Sequence, residues 1–295
     1  MKRIIMNVLL LGVLLMTVGC NKKSISENGN GPSAGKVTNV KTKSVNDRVW
    51  HVKYKGEDIY GHIYTAKDHP KKMPIAIVSH GLGGNYQELE SYAKNLANQG
   101  YLAYSFDFPG GSYDGQSTGV KQTQMSIITE EQDLLAVKEA LQKRDDTLEH
   151  QVLLVGGSQG GVVSALTASN HPQDIKGLAL MYPAFSITHD AQEQYSSFDQ
   201  VPKTYNLMGF TVGSNYYRNL LDMDITKTAT KYKGPVLIVH GNNDDIVPIK
   251  YSRQAAHNFK NADFIILKDA GHGFYGKDLK LALKDLDKFV RNQNF

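Results

Sequence analysis

The chain has 295 residues, of which 41% are hydrophobic and 21% charged, and its formal net charge at pH 7 is +4. This length suits one large α/β domain or two small ones. Because the charge is weak and the lysines form no concentrated stripe, nucleic acid is excluded as the expected partner. The only cysteine is Cys20, which excludes an internal disulfide bond.

The first twenty residues predict export and a lipid anchor. Lys2 and Arg3 precede an apolar run that ends at Gly19 and Cys20 and is shorter than a membrane span. The ending MTVGC resembles a lipobox, which predicts a lipoprotein signal peptide at 1–19 and lipidation of Cys20. The expected location is the bacterial cell envelope, exported and membrane-anchored through lipid. The alternative is an ordinary secretory signal with an incidental cysteine.

Two further regions follow the signal segment. Residues 20–46 are rich in Asn, Lys, Ser and Gly and lack a hydrophobic period, which is typical of a flexible tether. Residues 47–295 form the predicted globular domain, which opens with a β-hairpin. Strands are then predicted at 75–80, 101–108, 151–157, 177–183, 235–241 and 264–270, and helices at 86–100, 128–144, 160–170 and 276–292.

Uninterrupted apolar strands that alternate with helices predict an α/β fold with a mostly parallel central sheet and helices on both faces. The interval 184–230 breaks this alternation and is too long for a structureless loop in a compact domain. We therefore predict a small inserted cap there, above the carboxyl edge of the sheet, where open α/β folds bind ligands.

The pentapeptide Gly156-Gly157-Ser158-Gln159-Gly160 fits G-x-S-x-G between a predicted strand and a predicted helix. This context favours a strained turn that presents Ser158 as a nucleophile, whereas the pentapeptide alone also occurs by chance. A serine hydroxyl needs a base, and the base needs an acid. His272 follows the last predicted strand, and Asp244 and Asp245 follow the one before it. Either acid gives the order nucleophile, acid, base.

The developing oxyanion requires two backbone N–H donors. The residue after the nucleophile, Gln159, supplies one candidate, and Leu82 in the loop HGLGG supplies the other. Without Ser158, HGLGG is also compatible with a plain strand-to-helix turn. No spacing of His or Asp residues is typical of a metal site, and the chemistry needs no cofactor.

The segments HGLGG, GGSQGG, HGNNDDIVP and DAGHGF together resemble the functional loops of the α/β-hydrolase superfamily. More narrowly, SHGLGGN, FDFPGG, MSIITEEQDLLAV and GGSQGGVVSALTA resemble bacterial cinnamoyl/feruloyl esterases, over about residues 50–295. The resemblance implies an α/β-hydrolase fold, a cap that shapes the acyl pocket, and Asp244 rather than Asp245 as the acid. The segment Pro109 to Tyr113 departs from the family pattern and is expected to line the entrance of the site.

Three residues are candidates for contact with substrate: Asp190, Phe185 and Tyr113. The aromatic-rich cap suits a flat acyl group, and it equally suits a cap that needs its own hydrophobic core. The predicted function is hydrolysis of a small carboxylic ester, aromatic or short-chain, by a serine esterase. The alternatives are a serine peptidase or a lysophospholipase or monoacylglycerol lipase with the same triad, and a non-catalytic lipid-anchored binding protein. The sequence leaves the oligomeric state open.

Overall fold

Eight strands of the computed structural model, which describes residues 44–293, form one twisted sheet with the order β1-β2-β4-β3-β5-β6-β9-β10. The pairs β1–β2 and β2–β4 are antiparallel, and every other neighbouring pair is parallel. The strands of this sheet are β1 (Val45–Tyr54), β2 (Glu57–Ala66), β3 (Met73–Ser79), β4 (Leu102–Phe106), β5 (Thr147–Gly157), β6 (Ile175–Met181), β9 (Val236–Gly241) and β10 (Ala262–Leu267).

Helices cover both faces of the sheet, which explains the uninterrupted apolar character of its central strands. Alternate side chains of β3 show the division: Ile75 and Ile77 pack in one core with α2 and α3, whereas Ala76 and Val78 pack in the other with α1 and α8. The helices are α1 (Glu90–Asn98), α2 (Ile127–Gln142), α3 (Ser158–Asn170), α4 (Ile187–Gln194), α5 (Asn215–Arg218), α6 (Ile225–Ala229), α7 (Lys250–Asn258) and α8 (Gly276–Gln293). The predicted mostly parallel α/β architecture is confirmed.

Three helix starts differ from the sequence prediction. Helix α1 begins at Glu90, four residues after the predicted start at 86. Helix α2 begins at Ile127 because the Ser126 side chain accepts a hydrogen bond from the Thr129 N–H at 3.2 Å, which caps the first turn. Helix α3 begins at Ser158 itself, two residues before the predicted start. The serine thus occupies the first helical position, directly after the end of β5.

The interval 184–230 lies between β6 and β9 and contains α4, the hairpin β7 (Thr204–Leu207) and β8 (Phe210–Gly213), α5 and α6. The hairpin turns through Met208 and Gly209, both at positive φ (52° and 89°). Among residues 44–293, no helix combines the length and apolar character needed to cross a membrane. The predicted signal peptide and most of the tether lie outside the described residues.

Candidate active site

Ser158 lies on a tight turn that only small neighbours permit. Its φ of 49° falls in the left-handed region, which is unfavourable for a residue with a side chain. A Cβ atom on Gly156 would stand 2.2 Å from the Gly160 carbonyl oxygen, and one on Gly160 would stand 2.3 Å from the carbonyl oxygens of both Ser79 and His80. The glycines of the motif are therefore a steric requirement of the turn.

A continuous chain of hydrogen bonds joins three loops at the carboxyl edge of the sheet. The His272 Nε2 lies 3.0 Å from the Ser158 Oγ, and the His272 Nδ1 lies 2.8 Å from the Asp244 Oδ2. A carboxylate only accepts hydrogen bonds, so the Nδ1 carries the proton and the Nε2 is free to accept the Ser158 hydroxyl. This arrangement can draw the proton from Ser158 and stabilise the resulting imidazolium.

Asp244 is held in its ionised form. Its side chain is fully buried, and burial alone would raise its pKa. Hydrogen bonds from His240, His272 and the Val247 N–H outweigh that effect and hold the pKa of Asp244 well below its usual range. The second oxygen, Oδ1, accepts from the N–H groups of Ile246 at 3.0 Å and Val247 at 2.8 Å. The neighbouring Asp245 is exposed.

The two predicted oxyanion donors lie on the wall of one cavity together with Ser158. Gln159 is in the first turn of α3, where backbone N–H groups have no carbonyl partner within the helix. The positive end of the α3 dipole adds favourable potential for a developing negative charge.

The Leu82 N–H is left free by a loop that uses its neighbours. The Gly81 N–H donates to the Glu88 Oε2 at 3.2 Å, and the Gly83 N–H donates to the Gly111 carbonyl at 2.9 Å. Within residues 44–293 no acceptor binds the Leu82 N–H. The donor is therefore available to a ligand in the cavity.

The side chain of His80 holds the HGLGG loop in place through three hydrogen bonds. Its Nδ1 donates to the Gly81 carbonyl at 2.7 Å, and its Nε2 accepts from the Phe108 N–H at 2.9 Å and from the Ser112 hydroxyl at 3.0 Å. Burial lowers the pKa of His80, so the ring is neutral and matches this pattern of one donor and one acceptor. The histidine of the HGLGG segment is a structural part of the site.

A buried network that sequence reasoning missed surrounds the Gln159 side chain. The Gln159 Nε2 donates to the Glu130 Oε2 at 2.8 Å, and the Tyr216 hydroxyl donates to the Gln159 Oε1 at 2.8 Å. Burial raises the pKa of Glu130 to about 8, against the lowering effect of the Gln159 hydrogen bond. A usable signal was present, because Glu130 falls on the apolar face of α2, where an acid needs a partner.

The cavity beside Ser158 has a volume of about 130 Å³ and a mostly apolar wall. Helices α4 and α5, the β7–β8 hairpin and the loop after Asp244 all contribute to it. Its principal apolar residues are Ile187, Leu207, Met208, Tyr216, Tyr217 and Ile246. The cap interval therefore forms one side of the cavity. The segments that carry Leu82, Ser158 and Val247 form the other side.

Of the three residues predicted to contact substrate, only Asp190 lines the cavity. Asp190 lies on the cavity wall, where its Oδ2 accepts from the Ser186 hydroxyl at 2.7 Å. Phe185 does not reach the cavity, because its side chain is 2% exposed and packs in the core. Tyr113 is 66% exposed and stands outside the cavity wall, with its ring 5.9 Å from that of Phe210. Cys20 lies outside the described residues.

Comparison with known families decides the membership of the chain. Residues 70–220 match the family described as "Serine aminopeptidase, S33", and residues 222–294 match the family described as "TAP-like protein". The chain belongs to the serine aminopeptidase S33 family of α/β-hydrolases.

Within residues 44–293, no three His, Cys, Asp or Glu side chains are grouped to hold a metal ion.

Several known proteins are similar to this chain in sequence or in fold. A Mycoplasma pneumoniae protein with the provisional name esterase/lipase 2 is 25% identical over 266 residues, which cover 80% of this chain and 95% of the relative. Rat monoglyceride lipase is 34% identical over 119 residues, which cover 39% of this chain and 37% of the lipase. Est1E from Butyrivibrio proteoclasticus, solved with ferulic acid bound, superposes with a TM-score of 0.75 at 24% identity and covers 83% of this chain and 98% of its own. The α/β-hydrolase fold predicted from the sequence is confirmed.

Proposed function

We propose that this chain hydrolyses carboxylic esters, with Ser158 as the nucleophile, His272 as the base and Asp244 as the acid. The observation that carries the proposal is the continuous hydrogen-bond chain through these three side chains at the wall of an apolar cavity. Leu82 and Gln159 line the same cavity, and their N–H groups are the proposed donors to the oxyanion, which supports acyl transfer.

The reaction proceeds in two halves. The Ser158 Oγ attacks the ester carbonyl while the His272 Nε2 takes the hydroxyl proton, and Asp244 stabilises the imidazolium that forms. The N–H groups of Leu82 and Gln159 bind the oxyanion. The imidazolium then protonates the leaving alcohol, and water activated by His272 hydrolyses the acyl-enzyme.

The cavity favours an apolar acyl group with a polar end. Apolar side chains from the cap form most of its wall, and the carboxylate of Asp190 is the charged group in it. A carboxylate accepts a hydrogen bond from a hydroxyl on the substrate. The structural likeness to Est1E agrees with an aromatic hydroxy acid, and a short acyl chain fits the same volume.

Two competing activities follow from the relatives: cleavage of monoacylglycerols and cleavage of peptide amides. A panel of soluble aryl esters, monoacylglycerols and aminoacyl amides separates them by kcat/KM. We expect aryl esters to give the highest values. A preference for amides would overturn the ester assignment. A preference for monoacylglycerols would keep the ester chemistry and replace the aryl ester with a lipid ester as the substrate class.

A fluorophosphonate probe tests whether the chain is catalytic at all. We expect labelling of the wild type and of Ser196→Ala, an exposed serine in the cap, and no labelling of Ser158→Ala. Folded wild-type protein that resists the probe would favour a non-catalytic binding protein. Loss of labelling at Ser158 alone would identify the nucleophile.

We also propose that Cys20 carries a lipid anchor in the bacterial cell envelope. The basic start, the apolar run and the MTVGC ending support this proposal. Expressed in a bacterium, the wild type should sediment with membranes, and Cys20→Ser should be released into the soluble fraction. A variant that stays membrane-bound would contradict the anchor.

A further inference from the structure

A second histidine stands against the acid of the triad. The His240 Nε2 lies 3.0 Å from the Asp244 Oδ2, the same oxygen that lies 2.8 Å from the His272 Nδ1. His240 is on β9 and is fully buried, whereas the His272 side chain is 15% exposed. One carboxylate oxygen is thus placed between two imidazole rings, of which only one can reach solvent.

The surroundings of His240 fix where its proton lies. The Nε2 also hydrogen-bonds the Val247 carbonyl at 3.0 Å. Both of its neighbours, a carbonyl and a carboxylate, only accept, so the Nε2 carries a hydrogen. The Nδ1 is 2.7 Å from the Ser252 hydroxyl of α7, which donates to it. The one N–H therefore donates to the Val247 carbonyl and stands 3.0 Å from the Asp244 Oδ2, while the Ser252 hydroxyl satisfies the Nδ1.

His240 holds the loop that follows β9 and carries Asp244 in a fixed position. Through one ring, the loop residues Asp244 and Val247 are tied to strand β9 and to helix α7. The N–H groups of Ile246 and Val247 also face Asp244, and the ring centroid of Tyr182 is 5.0 Å from that of His272. The nearby Glu88 carboxylate accepts from the N–H of Gly81, beside Ser158, at 3.2 Å. No other charged side chain in residues 44–293 forms an ion pair with Asp244.

We propose that His240 is a positioning residue that draws on the negative charge of Asp244 and thereby sets the basicity of His272. The proposal rests on the function proposed above. An N–H beside the Oδ2 weakens that oxygen as a partner for protonated His272. Removal of the N–H makes Asp244 a stronger partner, so His272 holds its proton more tightly and its pKa rises.

The test compares two replacements of His240. His240→Phe keeps an aromatic ring and loses the N–H, whereas His240→Gln keeps a donor at a similar distance from the backbone. In His240→Phe, the acid limb of kcat/KM for a soluble aryl ester should move up by about half to one pH unit. In His240→Gln, the limb should return close to that of the wild type. A role confined to stability would lower the melting temperature of His240→Phe and leave the limb in place.

His62→Phe serves as the matched control. His62 forms a separate His–Asp pair with Asp47 on the first two strands, at 2.6 Å, away from the triad. Its replacement removes the same chemical group and should leave the acid limb unchanged. If His240→Phe and the wild type share one acid limb, the proposal is wrong.

Two provisions keep the test decisive. His240→Phe orphans the Ser252 hydroxyl, so the double variant His240→Phe/Ser252→Ala removes both partners if the single variant fails to fold. An NMR titration of His272 in 15N-histidine-labelled protein, made on Ser158→Ala, reads the pKa without any turnover. An upward shift in this titration supports the positioning role even if the ester assignment fails. An unchanged pKa overturns the positioning role even if Ser158 proves to be the nucleophile.

Discussion

Glu130 is a buried acid whose ionisation should control the stability of the protein. It lies on α2 with its Oε2 2.8 Å from the Gln159 Nε2, and burial raises its pKa from the ordinary 4.5 to about 8. Between these two pH values, the unfolded chain releases a proton that the folded protein keeps. The contribution of Glu130 to stability is therefore fully present below about pH 4.5 and is lost as pH rises towards 8.

The size of the effect follows from the shift. Each pKa unit corresponds to about 1.4 kcal/mol, so the full shift is worth roughly 5 kcal/mol. Glu130→Gln keeps the size of the side chain and an oxygen that accepts from Gln159, and it does not ionise. Its advantage in unfolding free energy over the wild type should therefore grow by about 3.5 kcal/mol between about pH 5 and pH 8.

Urea unfolding at these two pH values measures the effect, with the wild type, Glu130→Gln and Glu139→Gln compared in parallel. Glu139 is an exposed acid on the same helix, so its replacement should shift stability equally at both pH values. An advantage of Glu130→Gln that is the same at both pH values would refute the reasoning. It would show that Glu130 keeps the ordinary pKa of a glutamate despite its burial.

Three further predictions concern the site. Asp244→Asn should lower kcat for an aryl ester by about 10³–10⁴-fold while circular dichroism stays native, because an amide favours the wrong His272 tautomer; a loss under tenfold would argue against Asp244 as the acid. Tyr216→Phe removes the hydrogen bond to Gln159 and should lower the unfolding free energy by about 1–2 kcal/mol in urea, and unchanged stability would contradict the network. Gly160→Ala gains about 1 kcal/mol of helix propensity but collides with two carbonyl oxygens at 2.3 Å. Its melting temperature should therefore fall, and a rise would mean that the turn relaxes.

Local sequence rules led to the position of the site because parallel strands end at one edge of a sheet. Order and strand context indicate the segments after β5, β9 and β10. In the structure, His272 lies within hydrogen-bond distance of both Ser158 and Asp244. The strained turn predicted at Ser158 is present, and the contacts at Gly156 and Gly160 leave no room there for a side chain. The predicted bounds of the tether and domain remain predictions.

Side-chain depth is the part that local rules do not specify. Phe185 and Tyr113 both belong to segments that follow a strand of the sheet, and both are predicted from the sequence to contact substrate. One packs inward from the end of β6, and the other faces solvent beside the cap. An aromatic residue suits a pocket wall, a core or a rim equally well, and only the packing of the whole cap decides among them.

The sequence by itself determined the sheet, the turn at Ser158 and the order of the three loops, because hydrophobic period, glycine sterics and strand polarity act over a few residues. Only the tertiary structure decided what supports the site. Gln159 meets Glu130, 29 residues earlier, and Tyr216, 57 residues later, while His240 finds Ser252 on a neighbouring helix. These partners are buried polar groups that must satisfy one another, and that requirement is imposed by the fold once it has excluded water.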